Sequence, residues 1–455
     1  MPRLNVVKKS ATILLAPLVL LVAVALCAPI GWAFPASADS QAPKVPDGPP
    51  AQVQFQVLHS FGAAGDGDSP SGPPVMDSKG NLYGVTGFGG AYGLGTVYEL
   101  SPSGNGQWTE TVLYSFTGPP DGYEPVGLAI DASGNLYGAT AFGGSTEGEC
   151  ADGGCGTIFE MTPQGNGQWT ESILWNFCSL PNCADGAGPE QPSIGPGGII
   201  YGISGNGIYT LTPGSGGWTI NVLYTFCDTG ANCPDGETPS GAPALDKAGN
   251  LYGETIIGGQ CTRNRLGCGV AYELQRQPNG EYEEVVLHVF QQESNEDGSG
   301  PQGGFAARGG GLYGIAFGGG ELCINMAGCG TVFELTRGSG QMANEQTIWS
   351  FGGENGMEGL GPTFGPTFNS QGDLFGTTGM GGSPSCGCGV VYGMKQQKNG
   401  QWAYYVLHSF TGPDGAVPDS SVLVDAKDDL FGVTGFAGEY GGGVAYELSP
   451  VKQAK

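Results

Sequence analysis

Basic residues and histidine are scarce in this chain of 455 residues. It has three histidines, and 16 lysines and arginines stand against 42 aspartates and glutamates, for a formal net charge of −26. A surface this acidic repels phosphate groups and anionic lipid, so we expect no nucleic-acid partner and no membrane partner for the processed chain. Cations, neutral sugars and basic proteins remain as possible partners.

Motifs for catalysis are missing as well. The sequence has no Gly-x-Ser-x-Gly elbow, no P-loop and no His-Glu-x-x-His helix. The histidines His59, His288 and His408 share one repeat position, Val-Leu-His-x-Phe, where Tyr114 and Tyr224 stand in other repeats. Because three equivalent positions cannot converge on one site, we interpret them as structural. We therefore expect no catalytic residue and no enzyme.

What the chain does have is a repeated unit of four short apolar runs, seen clearly in residues 127–177. Each run is rich in Leu, aromatic or β-branched residues and is bounded by Gly, Asn, Asp or Pro, which favours strands over helices. The turns Asp131-Ala-Ser-Gly134 and Asn166-Gly167 are typical of tight connections. The pattern predicts a four-stranded antiparallel meander, with its first strand at residues 127–130.

Seven copies of this unit follow one another, 49 to 64 residues apart. The Leu-x-x-Phe motif of the fourth strand begins at Leu58, Leu113, Leu174, Leu223, Leu287, Ile348 and Leu407. The Leu-Tyr-Gly motif of the second strand has its aromatic residue at Tyr83, Tyr137, Tyr201, Tyr252, Tyr313, Phe375 and Phe431. Four strands per unit at this period indicate the blades of a β-propeller.

The two ends of the repeat array predict how the ring closes. A lone fourth strand, residues 53–61, precedes the first complete unit, and the last unit stops after its third strand at Leu448. An N-terminal strand that completes the last blade would remove an exposed sheet edge. The predicted fold is therefore an all-β, seven-bladed β-propeller whose last blade is closed by the N-terminal strand.

The first 38 residues resemble a secretory signal peptide. Arg3, Lys8 and Lys9 precede an uncharged apolar run from Ala11 to Ile30, and Ala36-Ser-Ala38 follows as a cleavage site. An uncleaved anchor is the alternative reading. Residues 39–51 form a flexible lead-in, and residues 52–455 form one propeller domain. We expect a protein that is secreted or held on the exterior of the cell envelope.

Twelve cysteines remain after the signal peptide, and they occur as close neighbours. They are Cys150 and Cys155, Cys178 and Cys183, Cys227 and Cys233, Cys261 and Cys268, Cys323 and Cys329, and Cys386 and Cys388. In an exported chain such pairs predict disulfides. Zinc is the competing interpretation, but each pair stands alone in the sequence with no histidine beside it.

All of these cysteines are predicted to lie on one face of the ring. In an up-and-down meander, the loops between strands 2 and 3 and the links between blades emerge together, and the other two turns of each blade emerge opposite. Eight cysteines fall in 2–3 loops and four fall in links. Loops of varied length on a constant scaffold are the usual place for function, so this face is the candidate binding face.

The links on this face repeat an acidic residue followed by glycine. These acidic residues are Asp66, Asp121, Asp185, Asp235, Asp297, Glu358 and Asp414. Around a channel mouth they could bind Ca²⁺, accept hydrogen bonds from sugar hydroxyls, or supply two carboxylates to a hydrolase or lyase. The simpler alternative is that Asp-Gly is good turn chemistry, repeated because the blade is repeated. We expect no cofactor, with Ca²⁺ left open.

The repeat resembles the GloVer (Gloeobacter/Verrucomicrobia) tandem repeats of exported bacterial proteins. The resemblance rests on residues 112–116, Asp121-Gly122, residues 134–140, Gly143-Gly144 and residues 156–161, and it extends over residues 57–448. The family implies export, often with a separate C-terminal anchor of the "choice-of-anchor" type, although residues 449–455 carry no sorting signal. It implies no known activity. We expect a monomeric binding or scaffold propeller for an extracellular glycan or protein.

Overall fold

A computed structural model describes residues 53–228, 233–260, 268–291, 297–320, 329–338, 342–352 and 356–451. The chain divides into two units, 1–39 and 40–455, and every described residue lies in the second unit. The predicted signal peptide (residues 1–38) and lead-in (residues 39–51) therefore lie outside the described residues. The description of the propeller domain begins at Val53. Among the residues described, no helix has the length and apolarity needed to cross a membrane.

Seven antiparallel sheets contain all of the strands. Blade 1 is β2 (Gly67–Met76), β3 (Leu82–Gly89), β4 (Thr96–Gly104) and β5 (Gln107–Ser115). Blade 2 is β6 (Gly122–Ile130), β7 (Leu136–Gly143), β8 (Thr157–Pro163) and β9 (Trp169–Asn176). Blade 3 is β10 (Ser193–Ile194), β11 (Ile200–Ser204), β12 (Gly207–Gly214) and β13 (Gly217–Thr225).

The second half of the ring repeats this order. Blade 4 is β14 (Glu237–Leu245), β15 (Leu251–Ile257), β16 (Val270–Arg276) and β17 (Tyr282–Val289). Blade 5 is β18 (Gly298–Arg308), β19 (Gly311–Gly319), β20 (Thr331–Arg337) and β21 (Ala343–Ser350). Blade 6 is β22 (Thr367–Phe368), β23 (Leu374–Thr378), β24 (Val390–Gln396) and β25 (Trp402–Ser409).

Blade 7 is shared between the two ends of the chain. It contains β26 (Ala416–Pro418), β27 (Leu423–Val424), β28 (Leu430–Phe436) and β29 (Val444–Pro450). The strand β1 (Val53–Ser60) pairs antiparallel with β29, from Val53 opposite Pro450 to Ser60 opposite Val444. The predicted seven-bladed propeller and its closure by the N-terminal strand are confirmed.

Short one-turn helices occur only outside the sheets. Within the described residues they are the 3₁₀ turns Gly148–Cys150, Pro181–Cys183 and Pro196–Gly198. The first two each contain a cysteine of a predicted pair.

The first strand of each blade lies at the centre of the ring. Neighbouring first strands come into backbone contact there: the Gly72 N–H donates to the Asp419 carbonyl at 3.0 Å, and the Gly365 N–H donates to the Gly303 carbonyl at 3.2 Å. Side chains would not fit at these approaches, since a Cβ on Gly303 would lie 2.4 Å from the Gly365 nitrogen. Bare glycine backbone therefore narrows the central channel.

The first strand of blade 2 is longer than predicted, and first strands are irregular in several blades. In blade 2 the strand begins at Gly122, not Gly127, so the acidic-Gly pair stands at its start. The pairing register shifts inside this strand in several blades, for example between Ser71 and Val75. Such a bulge interrupts the alternation of apolar and polar residues, which is why the sequence pattern revealed only the second half of the strand.

The hydrophobic core lies between adjacent blades. Tyr83 and Val85 of blade 1, for example, pack in one buried cluster with Leu136 and Phe159 of blade 2. The glycine of each Leu-Tyr-Gly motif makes room for the third-strand aromatic ring: a Cβ on Gly253 would lie 2.2 Å from the Tyr272 hydroxyl oxygen. This contact explains why the second-strand aromatic is followed by glycine in every repeat.

Candidate functional site

The two faces of the ring differ in their connections. We call the face with the 2–3 loops and the links between blades the loop face, and the face with the 1–2 and 3–4 turns the turn face. Most of the 1–2 turns are alike: in blade 2, Asp131 Oδ1 accepts the Ser133 N–H at 2.8 Å and the Asn135 N–H at 2.9 Å. The same pattern holds Asp246 in blade 4. Blades 3 and 5 differ, with the 3₁₀ turn Pro196–Gly198 and the two-residue turn Gly309-Gly310. The turn face is therefore regular in most blades but not in all.

The aspartates of the predicted acidic ring bond to the preceding outer strand. Asp121 Oδ2 accepts hydrogen bonds from the Tyr114 hydroxyl at 2.9 Å and from the Thr117 N–H at 2.9 Å. Asp185 accepts the Trp175 indole N–H at 3.0 Å, and Asp235 accepts the Tyr224 hydroxyl at 3.1 Å. In the three junctions with histidine, the imidazole Nε2 lies next to the aspartate, in the pairs His59–Asp66, His288–Asp297 and His408–Asp414.

These contacts place each carboxylate in its own junction, against a fourth strand. The structure does not bring the seven acidic residues together as one group. Glu358 departs from the pattern: its backbone carbonyl accepts the Tyr404 hydroxyl, and the Trp349 indole N–H has no partner. The contacts agree with the turn-chemistry interpretation of Asp-Gly. A Ca²⁺ or sugar ligand at these seven residues stays a prediction.

A second feature of the links, which we call the hook, connects each blade to the one before it. It consists of the residue before the link proline and the proline itself. The residue before the link proline has a positive φ in all seven blades, and it is glycine in only three of them. Its N–H donates to the 2–3 loop of the preceding blade, as from Val417 to the Cys388 carbonyl at 2.9 Å. The proline then packs on the glycine that begins the third strand: a Cβ on Gly389 would lie 2.6 Å from Pro418 Cδ. A left-handed β-branched residue is costly, so this hook is strongly imposed by its surroundings.

Disulfide bonds hold the acceptors of the hook. Bonds join Cys150 to Cys155, Cys178 to Cys183, Cys227 to Cys233 and Cys386 to Cys388. Cys268 and Cys329 are also disulfide-bonded, while Cys261 and Cys323 lie outside the described residues. The carbonyls of Cys155, Cys268, Cys329 and Cys388 accept the hook N–H of the next blade at 2.8 to 2.9 Å. These disulfides therefore stiffen the loops at the point where blades are joined.

Two cysteine pairs that stand apart in the sequence are close together in the structure. The sulfur atoms of Cys150, Cys155 and Cys178 lie within 4.8 Å of one another, so two pairs that are distant in sequence are neighbours in space. Both belong to blade 2 and the link that follows it, because the 2–3 loop and the link meet at the same corner of a blade.

The loop face also carries exposed apolar side chains, which the sequence reading missed. The side chains of Tyr92, Tyr440 and Phe88 are 63%, 55% and 49% exposed. Phe88 stands near the end of the second strand of blade 1, and five of seven blades have a large apolar residue at this position: Phe88, Phe142, Ile257, Met380 and Phe436. All five keep contact with solvent. Their fixed place, six residues after the first residue of the Leu-Tyr-Gly or Leu-Phe-Gly motif, is the signal that could have revealed them.

Three carboxyl groups near the central channel were missed as well. Glu190 follows the link proline just before β10 of blade 3, Asp419 follows the link proline between β26 and β27 of blade 7, and Glu254 lies on β15. Glu190 accepts the Gly241 N–H at 2.8 Å, and Glu254 Oε1 accepts the Gly304 N–H at 3.0 Å while its Oε2 has no partner. Burial raises the pKa of Glu190 and Asp419 to about 7 and that of Glu254 to about 8.

The third-strand glutamates pair within their own blade. Glu160, Glu273 and Glu334 accept the hydroxyl of the second-strand tyrosine at 2.7 to 2.9 Å. A cleft of about 430 Å³ lies elsewhere, between β5 and the 3–4 turn of blade 2, and its lining includes Thr111, Gln168 and Trp169. No titratable residue lines that cleft, so it offers no chemistry for a site.

Residues 47–262 match the model of the Gloeobacter/Verrucomicrobia repeat. These residues belong to the Gloeobacter/Verrucomicrobia repeat family. The GloVer motifs of this stretch continue through blades 5 to 7, where Gly330-Thr-Val-Phe-Glu-Leu335 is one example. No curated protein matches the chain by sequence.

Solved structures show the same fold at low sequence identity. Virginiamycin B lyase from Staphylococcus aureus is 15% identical over 88% of this chain and 99% of its own, with a TM-score of 0.50. YCF48 from Cyanidioschyzon merolae is 12% identical over 88% of this chain and 99% of its own, with a TM-score of 0.51. A streptogramin B lyase is 13% identical over 87% and 97%, with a TM-score of 0.50. At these identities the likeness establishes the propeller fold and nothing more.

Proposed function

We propose that this protein is an exported GloVer propeller that binds an extracellular glycan or protein through its loop face. The observation that carries the proposal is the set of solvent-exposed apolar side chains there. Among the described residues, the exposed large apolar side chains are Phe88, Tyr92, Met357 and Tyr440 on the loop face and Met342 and Val451 on the turn face. Exposed apolar side chains that share one face are typical of interaction sites.

The chemistry of this surface favours an uncharged ligand with both apolar and hydroxyl-bearing faces. The aromatic rings of Tyr92 and Tyr440 offer flat surfaces to the C–H face of a sugar. Nearby carboxylates accept hydrogen bonds from hydroxyls: Glu439 is exposed beside Tyr440, and Asp68 follows Gly67 at the start of β2. A negative chain repels acidic polysaccharides, so neutral glycans come first and basic protein surfaces second.

The test compares matched variants on the two faces. We expect the wild-type protein to bind neutral glycans on an array or a protein in a pull-down from the native surroundings. Tyr92→Ala and Tyr440→Ala should each weaken binding about tenfold or more, as for the aromatic anchors of an interface. Met342→Ala is the control, because Met342 is 49% exposed on the turn face. Equal binding by all four proteins, or no ligand at all, would refute the proposal.

A carbohydrate-active hydrolase or lyase is the second candidate. It is favoured by Glu190 and Asp419, whose pKa values near 7 suit a general acid at neutral pH. The same glycans should be assayed for released reducing ends and unsaturated products. Turnover that is lost in Glu190→Gln would establish an enzyme, whereas binding without turnover leaves the binding module.

A further inference from the structure

Three potential metal ligands meet where the N-terminal strand joins blade 1. His59 lies on β1, Asp66 in the link and Glu110 on β5, so each comes from a different segment. One ligand atom from each lies within 4.8 Å of the other two. His59 Nε2 and Asp66 Oδ2 are 2.9 Å apart. The three equivalent histidines cannot share one site, but each can take part in a separate site in its own junction.

Each of the two carboxylates in this junction has an oxygen atom in a position to bind a metal ion. The Gly67 N–H donates to Asp66 Oδ1 at 2.6 Å, which orients Oδ2 toward the imidazole. Glu110 Oε1 is buried and has no hydrogen-bond partner. A bound cation would neutralise both carboxylates and give the orphan oxygen a partner.

The same arrangement occurs a second time, between blades 4 and 5. His288, Asp297 and Glu345 also bring one ligand atom each within 4.8 Å of the others. Asp297 Oδ2 accepts the Gln291 N–H at 2.9 Å, so this carboxylate too is fixed by backbone. His288 Nε2 lies 3.4 Å from Asp297 Oδ1.

The other junctions show which of the three side chains is missing when the metal-ligand set is incomplete. His408 and Asp414 form a pair like the first two, but Phe55 occupies the place of the glutamate and stacks on His408 at a centroid distance of 3.8 Å. Glu171 and Glu284 hold the glutamate place, yet they face Tyr114 and Tyr224 instead of histidine. Within the described part of the chain, imidazole and two carboxylates coincide only in the first two junctions.

We propose that His59, Asp66 and Glu110, and in a second copy His288, Asp297 and Glu345, each bind a divalent transition-metal ion of the zinc class between two blades. One imidazole and two carboxylates are ligands that Zn²⁺ accepts, with water in the fourth position. Ligand atoms about 2.0 to 2.2 Å from the ion lie about 3.5 Å apart, so small side-chain rotations close the set. The His59 side chain is 25% exposed, which leaves an entry path.

The test counts metal ions in the full propeller after treatment with a chelating resin. Equilibrium dialysis against Zn²⁺ should give two equivalents for the wild type, one for Glu110→Gln, one for Glu345→Gln and none for the double variant. Glu171→Gln is the matched control, because it removes a glutamate at the same repeat position beside Tyr114, and it should keep two. Thermal melts without metal confirm that each variant folds, and Zn²⁺ should raise the melting temperature of the wild type but not of the double variant.

Other outcomes decide equally clearly. No uptake by the wild type, or two equivalents retained in the double variant, would overturn the proposal. One equivalent that disappears in Glu110→Gln would keep the first site and reject the second. Parallel dialysis against Ca²⁺ and Mn²⁺ identifies the ion class: tighter binding of Ca²⁺ than of Zn²⁺ would overturn the assignment to a zinc-class ion.

Discussion

At the scale of single residues, the acidic side chains of this protein follow two different physical regimes. The link aspartates are satisfied by several donors each; Asp121, for example, accepts from Tyr114, Thr117 and Gly122. Glu254 is fully buried, and one of its oxygens has no partner. An ionised carboxylate is stable in the first setting and costly in the second. The link aspartates can be recognised in the sequence because an acidic residue repeats at this position in every blade. The buried carboxyl groups can be recognised only from their burial in the structure.

This contrast predicts how stability depends on pH. The pKa of Glu254 is about 8 in the folded protein, above the ordinary glutamate value near 4.3. Between these values the unfolded chain loses its proton while the folded protein keeps it, so rising pH lowers the free energy of unfolding by about 1.4 kcal/mol per pH unit. The penalty is absent below pH 4 and complete above pH 8.

Glu254→Gln should therefore flatten the pH dependence of denaturant unfolding and raise stability most at pH 8 to 9. Glu283→Gln, an exposed position on β17 of the same blade, is the control and should leave the curve unchanged. The prediction fails if Glu254→Gln loses stability equally at pH 5 and pH 9.

At the scale of elements, each link packs against the start of the third strand of the preceding blade. The positive-φ residue, the proline after it and the glycine of the preceding blade fit together in the same way in six of the seven junctions. Between blades 3 and 4, the Thr238 N–H donates to the Asn206 side chain instead, and Pro239 is not among the nearest neighbours of Gly207. The sequence displayed both halves as separate motifs, Asp-Gly-x-x-Pro and Gly-Thr-Val-Phe-Glu. It could not show that they touch, because the halves belong to neighbouring blades and one sequence carries no contact information.

Two glycines of blade 4 allow this hook to be tested. Gly269 and Gly280 both have φ of +89°, but a Cβ on Gly269 would lie 2.2 Å from the Thr255 carbonyl oxygen and 2.5 Å from Pro301 Cδ, whereas a Cβ on Gly280 meets nothing within 4 Å. Gly280→Ala should cost about 1 to 2 kcal/mol for the left-handed backbone alone. Gly269→Ala should cost that amount and about 1 to 3 kcal/mol more for the two clashes. Chemical denaturation measures both, and equal losses would show that the close packing around Gly269 is unimportant.

The sequence predicted the four-strand order, the number of blades and the closure, because apolar period and turn residues repeat with the fold. It missed the start of the first strand of blade 2, where a register shift disturbs the alternation, as it does in blades 1, 4 and 5. It also missed Tyr92 and Tyr440 as surface residues, since nothing in a single sequence distinguishes an exposed tyrosine in a loop from a buried one. The disulfide-bonded loops were recognised, but their part in joining blades was not.

At the scale of the whole molecule, stability depends on the pairing of β1 with β29. This pairing closes the ring and covers the edge of the last blade, and an uncovered strand edge promotes aggregation. A chain that begins at residue 63 lacks β1 and should melt at a lower temperature and aggregate in size-exclusion chromatography. A chain that begins at residue 52 keeps the strand and is the control. A monomeric shorter chain with an unchanged melt would show that closure is dispensable.

The pairing of Val53 with Pro450 also determines which face of the propeller is exposed when the protein is immobilised through a terminus. Both residues stand at the turn-face end of blade 7, since β1 runs toward the loop face and β29 away from it. A tag or surface linker fused at either position would extend from the turn face of the propeller. Immobilised by such a fusion, the protein would present Tyr92 and Tyr440 outward, and capture experiments could be run from either terminus without hiding the surface they are meant to probe.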